Sequence, residues 1–245
     1  MSMPLRILGL LGLILRGILT TALVLPWCSR ARRRRLICHW SRRLLQYLRL
    51  TIQVQGAWPD SPGPYLLTSN HISWVDIFVI HSVHPVRFIS KSEVRHWPIF
   101  GWLAARTGTL FLSRSSRRQT LEIGKAMTQV LQAGDDLGFF PESTTSDGTS
   151  ILPFKTSLLQ SPLDCQATLL PIALRYSVPP GHSESAYPFI GDMTFMESLV
   201  RVLKSPPSQV TLSLGTPHKA LELGTDRRQL ALQLHLLTQQ LRESM

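Results

Sequence analysis

The chain has 245 residues, 44% of them hydrophobic, and a mean hydropathy of +0.07, so it can bury a full core and is not a disordered chain. Its net charge of +11 comes almost entirely from residues 1–50, which hold ten arginines and no acidic residue. A nucleic-acid enzyme would spread basic residues around its groove, whereas a basic excess beside the most apolar segment indicates a membrane surface. The three cysteines, Cys28, Cys38 and Cys165, lack the spacing and the even number of a zinc site or a disulfide framework, which indicates reduced thiols facing the cytosol.

The most apolar stretch is residues 5–27, LRILGLLGLILRGILTTALVLPW, which only Arg6, Arg16 and two threonines interrupt. About 20 apolar residues suffice to cross the hydrocarbon core as a helix. Arg16 costs about 2.5–3.5 kcal/mol near the middle, but each leucine or isoleucine returns roughly 0.3–0.6 kcal/mol, so the sum favours membrane association. A cleaved signal peptide would carry its basic residues before the apolar run, whereas here RARRRR at 30–35 follows it.

The next segment, residues 36–50, predicts an amphipathic helix. Its arginines lie off an apolar stripe that comprises Leu36, Ile37, Trp40, Leu44, Tyr47 and Leu48. Such a helix either lies in the membrane interface or packs on the globular core, and the all-arginine charge favours the interface. We therefore predict that residues 1–50 form a two-helix membrane anchor, spanning or dipping, with its arginines at the cytoplasmic headgroups of the inner membrane.

From residue 51 onward, short apolar runs alternate with helical patterns. Strands are predicted at 51–55, 64–68, 86–91, 108–112, 137–140, 168–174 and 209–214. Helices are predicted at 73–82, 97–106, 117–133 and 226–243. This alternation predicts an α/β fold in which one catalytic domain, residues 51–245, has a mostly buried central sheet flanked by helices.

The stretch SNHISWVD places His71 five residues before Asp76, between two apolar runs. If His71 leaves a strand and Asp76 lies in the first turn of the next helix, the carboxylate could fold back onto the imidazole. The other ring nitrogen would then serve as a general base. An aspartate in a first helical turn also stabilises the helix by itself, so the spacing leaves a structural role open. No G-x-S-x-G nucleophile accompanies the pair, which suggests that a hydroxyl group of the substrate attacks.

Two later segments carry polar residues that suit an anion or a polyol. Arg114 ends a predicted strand, where its planar guanidinium could hold a phosphate, although exposed arginines at strand ends are common. Glu142, Ser143 and Thr144 follow another predicted strand in a loop crowded with hydroxyls and backbone amides. A carboxylate there can receive a glycerol hydroxyl, and an ordinary Ser/Thr loop is the alternative.

Four sequence blocks in this order resemble the motifs of the glycerolipid acyltransferases. They are N-H-x-x-x-x-D, K-x-E-x-x-x-x-P-x-F-G continuing to Arg114, F-P-E-x-T, and LLPIALRY at 169–176. The resemblance covers roughly residues 50–215, and the 1-acyl-glycerol-3-phosphate (lysophosphatidic acid) acyltransferases are the most similar branch. The combination is far more specific than any single block.

The resemblance implies a role for each matching residue. His71 would be the base on the free hydroxyl of a lyso-lipid acceptor, with Asp76 orienting it. Arg114 and Glu142 would bind the acceptor, Arg114 through its phosphate or equivalent head group, and Lys155 is a further candidate for the same pocket. The donor would be an acyl thioester on coenzyme A or acyl carrier protein, and no metal or redox cofactor is implied.

The third block departs from the family pattern at Ser143, where the family usually has glycine. Glycine would supply a positive φ or a close approach of backbone to substrate, and serine adopts a positive φ only at some cost. The departure bears mainly on the identity of the acceptor, because the residues implied in catalysis are all present.

Other functions are compatible with parts of the sequence. Within the same chemistry, the acceptor could be lyso-ornithine lipid or a lysophospholipid. A non-catalytic membrane-surface protein that keeps the fold is the alternative of another class, and it predicts that His71→Ala leaves the phenotype intact. Nucleic-acid binding would have to survive in residues 51–245, whose 16 basic and 15 acidic groups leave a net charge of only +1.

Overall fold

The computed structural model describes residues 2–61, 63–112 and 117–245, with the backbone alone at 117–120. Its α-helices are α1 Met3–Leu19, α2 Arg30–Tyr47, α3 Asp76–Val83, α4 Phe100–Thr107, α5 Arg117–Gln132, α6 Gln160–Asp164, α7 Phe195–Lys204, α8 Ala220–Leu223 and α9 Arg227–Glu243. Its strands are β1 Leu50–Gln55, β2 Tyr65–Ser69, β3 Arg87–Lys91, β4 Leu110–Leu112, β5 Leu137–Phe139, β6 Thr168–Tyr176, β7 Ser208–Leu214 and β8 His218–Lys219.

The strands form one mixed sheet in the order β1-β7-β6-β2-β5-β3-β4, with β8 paired to β6. From β6 through β4 all neighbours are parallel, whereas β7 joins β6 antiparallel and β1 runs parallel to β7. Parallel neighbours need long crossover connections, which here contain helices. The carboxyl ends of β2, β3, β5 and β6 therefore lie at one edge of the sheet.

The predicted α/β fold with helices flanking a central sheet is confirmed. The seven predicted strands are present, each within two residues of its predicted bounds, and the four predicted helices correspond to α3, α4, α5 and α9. The sequence analysis missed the short elements and also α7. A capping box marks the start of α7, because Thr194 accepts from the amide of Glu197 and the Glu197 carboxylate accepts from the amide of Thr194.

Alternate side chains of each strand enter two apolar cores on opposite faces of the sheet. On β2, Tyr65 and Leu67 enter the core covered by α2, α3 and α7, whereas Leu66 enters the core covered by α5 and α9. All three side chains are at most 2% exposed. The central strand β2 is thus buried on both faces, and the polar ends of such strands are the places where chemistry can occur.

The second N-terminal helix, α2, contributes to the first of these cores. Leu44, Leu45 and Leu48 are buried there with residues of the strands. Trp40 donates its indole N–H to Leu13 O of α1 at 3.0 Å, so α1 and α2 form a packed pair. The structure therefore confirms one apolar N-terminal helix but not the two-helix anchor, since the apolar stripe of α2 packs on protein.

Two arginines of α2 bind it to the catalytic domain. Arg34 donates to Asp136 Oδ2 at 3.0 Å and Arg42 donates to Ser82 O at 2.7 Å. Asp136 is 5% exposed and also accepts from His84 Nε2 and from the Tyr65 amide. Burial alone would raise the pKa of Asp136, but these hydrogen bonds and charges outweigh it and hold the pKa below its ordinary value.

The first helix exposes an apolar face. With the helical turns at Thr20–Val24 and Leu25–Trp27, it runs over Met3–Trp27 and is long and apolar enough to cross a membrane. Arg6 at its start is buried and donates to Tyr47 O at 2.8 Å and Leu203 O at 2.9 Å. The opposite face is between 50% and 88% exposed at Leu8, Leu11, Leu15, Leu19, Leu23 and Trp27.

Candidate active site

Residues from four sequence segments meet at the edge where parallel strands end. His71 follows β2, Lys91 ends β3, Glu142 follows β5 and Tyr176 ends β6. The carboxyl ends of parallel strands are where α/β sheets place their ligand sites, because side chains there are not needed for sheet packing. Each of the four residues belongs to a different one of the four sequence blocks described above.

The His71–Asp76 pair forms because the chain turns back between β2 and α3. Asn70 fixes the start of this turn, since its side-chain amide donates to Leu174 O at 2.9 Å and its carbonyl accepts from the Leu174 amide at 2.8 Å. Asp76 opens α3, where its carboxylate folds back over the preceding residues. The distance from His71 Nδ1 to Asp76 Oδ2 is 2.8 Å.

The carboxylate of Asp76 is fully buried and fully engaged. Besides His71, Oδ2 accepts from the amides of Ile72 at 2.7 Å and Ser73 at 2.9 Å, and Oδ1 accepts from the Tyr176 hydroxyl at 2.6 Å. Two backbone amides can only donate to Oδ2, so we assign Asp76 as an ionised acceptor. With that assignment a neutral imidazole donates from Nδ1, which leaves Nε2 as its unprotonated nitrogen.

Ring stacking fixes the orientation of the His71 imidazole in addition to its hydrogen bond. It stacks on Phe140 with ring centroids 3.9 Å apart and an angle of 8° between the planes, and Phe140 in turn stacks on Phe88. The His71 side chain is 19% exposed. Within the part of the chain that the structure describes, Nε2 has no hydrogen-bond partner, and His71 lines an open cavity.

Glu142 lies behind His71 and not on the wall of the cavity. It is 1% exposed, its Oε1 accepts from the His71 amide at 2.6 Å, and its Oε2 accepts from the Leu152 amide at 2.9 Å. Burial raises the pKa of Glu142 to about 7, against the two amide hydrogen bonds that lower it. Its carboxylate thus joins the histidine turn to the loop after β5.

Ser143 has the backbone conformation for which the family's glycine is suited. Its φ is 68°, its amide donates to Phe140 O at 3.0 Å, and its hydroxyl donates to Pro141 O at 3.3 Å. Serine in this left-handed region costs roughly 1 kcal/mol. The tight turn that sets Glu142 behind His71 is therefore kept despite the substitution, and the Ser143 side chain lines the cavity.

Several residues that line the cavity at His71 are polar or positively charged. Ser143, Thr144 and Lys155 line it, together with Lys91, which the sequence analysis did not single out. None of the lining residues that the structure describes is acidic. The cavity therefore offers two ammonium groups and several hydroxyls beside the basic nitrogen of His71.

A second, apolar cavity adjoins the first and shares several of its walls, including Trp74, Ile77 and Trp97. It extends between the catalytic domain and the N-terminal helices, where Gly17, Leu36 and Trp40 are among its lining residues. Burial lowers the pKa of His81, which also lines it, to about 4, so this histidine is neutral at pH 7. Among the described residues, the lining of the second cavity is thus apolar and uncharged, and part of its wall is shared with the first.

The structure brings together most of the residues that the sequence singled out. His71, Asp76, Glu142, Ser143, Thr144 and Lys155 lie in or directly behind the cavity. Arg114 lies outside the described residues. Sequence reasoning missed the contacts of Asn70, Phe140 and Tyr176, although each lies in a quoted block, because nothing in a linear pattern shows which side chains converge on Asp76 or His71.

Comparisons with known proteins agree with this geometry. An acyltransferase family model matches residues 51–175. The 1-acyl-sn-glycerol-3-phosphate acyltransferase of Neisseria meningitidis is 38% identical over 171 residues, 70% of this chain and 67% of the relative. The lyso-ornithine lipid O-acyltransferase of Pseudomonas aeruginosa is 37% identical over 201 residues, 82% of this chain and 76% of the relative.

A solved structure shows the same fold over almost the whole chain. The crystal structure of the 1-acyl-sn-glycerophosphate acyltransferase PlsC from Thermotoga maritima matches with a TM-score of 0.64 at 19% sequence identity. The match covers 98% of this chain and 97% of that one. Together with the match of the family model to residues 51–175, these similarities show that the chain belongs to the acyltransferase family.

Proposed function

We propose that this protein transfers a fatty acyl group from an acyl thioester, on coenzyme A or acyl carrier protein, to the free hydroxyl of 1-acyl-glycerol-3-phosphate, giving phosphatidic acid. The observation that carries the proposal is the His71–Asp76 pair at a cavity lined by two lysines, where Nε2 has no hydrogen-bond partner among the described residues. Both the relatives' names and the family model support acyl transfer to a lyso-lipid.

In the proposed reaction, His71 acts as the general base. Its Nε2 takes the proton of the acceptor hydroxyl while the oxygen attacks the thioester carbonyl, and Asp76 holds the imidazole through Nδ1–H. The tetrahedral intermediate collapses and the thiolate leaves, taking up the proton that His71 holds. No side chain is acylated in this scheme.

The charge of the cavity supports a phosphate on the acceptor. Lys91 and Lys155 are exposed at its rim, and the described lining residues include no carboxylate. Such ammonium groups bind a phosphate, and they would also bind the carboxylate of a lyso-ornithine lipid, but the free ammonium of that lipid would need an acidic partner as well. Arg114 is expected to add to the phosphate site. Lyso-ornithine lipid remains the second candidate acceptor, because a relative of that name is 37% identical.

The adjoining apolar cavity suits an acyl chain. Its walls include Phe78, Phe88 and Phe195, and it shares part of its lining with the cavity of His71. A fatty chain placed there gains free energy from leaving water, by about 0.8 kcal/mol for each buried methylene. The carbonyl group at its end would then lie near the shared walls, beside Nε2.

Glu142 acts in this proposal as a positioning residue. Both of its oxygens accept backbone amides, so it aligns the His71 turn and does not contact the acceptor. This differs from the role in acceptor binding that the family resemblance implies. The loop residues Ser143 and Thr144 line the cavity in its place, and the exposed Thr144 offers its hydroxyl to the glycerol backbone.

Membrane binding in the proposal rests on α1. Its outward face carries six large exposed apolar residues, including Leu11 and Leu15, and its inward face is tied to α2 and α7. A helix held along the domain in this way fits insertion into one leaflet better than a span that leaves the protein. We place the catalytic domain on the cytoplasmic side of the inner membrane, where acyl thioesters are made.

His71→Ala tests the chemistry. Purified protein is assayed with labelled acyl-CoA and acyl carrier protein against lysophosphatidate, lyso-ornithine lipid and lysophosphatidylethanolamine. We expect lysophosphatidate to be the best acceptor and His71→Ala to lower kcat by about 10²–10⁴-fold, because a general base contributes that much. A preference for lyso-ornithine lipid would select the second candidate. No transfer to any lyso-lipid would contradict the proposal.

Glu142→Gln tests whether the buried carboxyl group of Glu142 titrates near pH 7 and helps to position His71. The pKa of Glu142 is about 7 in the folded protein and ordinarily 4.5, so the folded state binds more protons between these values. Wild-type stability should therefore fall as the pH rises from 4.5 to 7, by roughly 2–3 kcal/mol. The variant lacks this contribution and should also lose about tenfold in activity, since glutamine cannot accept from both amides.

The measurement is chemical unfolding at pH 5 and pH 7.5 with wild type, Glu142→Gln and Glu184→Gln. Glu184 is 75% exposed and serves as the control for the same change in chemistry. Parallel pH profiles of stability in wild type and Glu142→Gln would show that Glu142 does not titrate in this range.

Leu11→Ser/Leu15→Ser tests the membrane face of α1. We expect the double variant to bind phosphatidylethanolamine–phosphatidylglycerol vesicles about 100-fold more weakly, since each exposed leucine that enters lipid contributes more than 1 kcal/mol. The control is Leu232→Ser/Leu236→Ser, which removes two exposed leucines from α9. Equal vesicle binding by both double variants in a sedimentation assay would contradict a membrane role for α1.

A further inference from the structure

Tyr176 contacts Asp76, the carboxylate of the proposed catalytic pair. It ends β6, it is buried, and its hydroxyl donates to Asp76 Oδ1 at 2.6 Å. Burial, and then the negative charge of Asp76, raise the pKa of Tyr176 well above its ordinary value, so the phenol keeps its proton. Among the described residues, Tyr176 is the single donor to Asp76 Oδ1, whereas Oδ2 has three hydrogen-bond partners.

We propose that Tyr176 is a positioning residue for acyl transfer. Its hydroxyl fixes the rotation of the Asp76 carboxylate and tunes the strength of the hydrogen bond between Asp76 and His71. This inference rests on the proposed role of His71 as the base. Tyr176 acts through Asp76 and does not touch the substrate, since it is not among the described residues that line the cavity.

The orientation of the carboxylate follows from the division of its donors. Three donors on one short turn hold Oδ2, and a hydroxyl from a strand 100 residues away holds Oδ1. Two oxygens bound from different elements leave the carboxylate no free rotation. A hydrogen bond to a buried charged acceptor is also stronger than one between neutral groups, so its removal leaves Oδ1 without compensation for its burial.

The phenol also disperses the charge of Asp76. With that donor present, less negative charge is available to His71 Nδ1, so protonated His71 is stabilised less. Loss of this donor should therefore move the acid limb of the pH–rate profile to higher pH.

The ring of Tyr176 is itself fixed from behind. It stacks on Tyr187 with centroids 4.8 Å apart and an angle of 14°. Tyr187 is fully buried and donates its hydroxyl to Leu48 O at 3.3 Å, at the end of α2. Both phenols are buried and they stack on each other, but in the described contacts Tyr176 donates to Asp76 whereas Tyr187 donates to Leu48 O, so Tyr187 provides a matched control.

Other ionisable groups near Asp76 must be separated from this effect. Among the described residues, the groups that face it or line the adjoining cavity are His71, Glu142, Tyr176, Tyr187, Lys91 and Lys155. Glu142 titrates near pH 7 and contributes to the acid side of any pH–rate profile. A comparison of Tyr176→Phe with Tyr187→Phe cancels that contribution, because both variants keep Glu142 and both lysines.

The test is the pH dependence of kcat and KM for transfer from acyl-CoA to lysophosphatidate in wild type, Tyr176→Phe, Tyr187→Phe and His71→Ala. We expect Tyr176→Phe to lower kcat by about 10- to 100-fold with KM unchanged. The acid limb of its profile should move to higher pH by about half a unit to one unit. Tyr187→Phe should keep the wild-type profile and a kcat within about twofold of wild type.

Replacement of Tyr176 by 3-fluorotyrosine provides a variant that keeps the hydroxyl and the fold. Its phenol is more acidic and a stronger donor, so the acid limb should move to lower pH. If Tyr176→Phe and Tyr187→Phe give the same kcat and profile, or if fluorination leaves the acid limb in place, the inference is overturned. Full activity of His71→Ala would instead overturn the proposed function on which it rests.

Discussion

The buried charge of Asp76 is the constraint on which the active site depends. A carboxylate with no exposed surface would cost several kcal/mol if it lacked partners, and four donors remove that cost. Because these donors come from the turn after β2 and from the end of β6, the charge is stable only when both elements are in place. The same arrangement fixes the tautomer of His71. Folding of the chain therefore also places His71 in the form that acts as a base.

A second layer of contacts supports this arrangement from behind. Glu142 accepts the amide of His71, Phe140 stacks on its ring, and Asn70 ties the turn to β6. The N-terminal helices form part of the same body, because α2 packs on the sheet and, with α1, encloses the apolar cavity. The surface proposed to enter lipid is therefore rigidly connected to the site that would act on lipid.

The sequence contained the periodicities from which the elements could be predicted. Short apolar runs located the strands of the sheet, and the spacing of His71 and Asp76 matched the pair found in the structure. The amphipathic pattern of α2 could not reveal its partner, because a stripe that packs on protein and one that packs on lipid look alike in a sequence. The arginines were ambiguous for the same reason, and Arg34 binds Asp136.

The contacts of the site that sequence reasoning missed are long-range. Tyr176 is 100 residues from Asp76, and Asn70 is 104 residues from Leu174, so only the order of the strands brings them together. Burial likewise decides the role of Glu142. As a loop carboxylate it looked suited to bind a hydroxyl, but its oxygens are satisfied by two backbone amides. Ser143 shows the reverse case, since its positive φ could be anticipated from the family's glycine.

The most direct test of the account is the position of the proton on His71. Nitrogen-15 NMR of the imidazole in detergent micelles, with His71 assigned by comparison with His71→Gln, reads the tautomer of the neutral ring. We predict a protonated Nδ1 and an unprotonated Nε2, because an ionised Asp76 can only accept from Nδ1. A neutral ring with its proton on Nε2 would contradict the role of His71 as a base at the cavity.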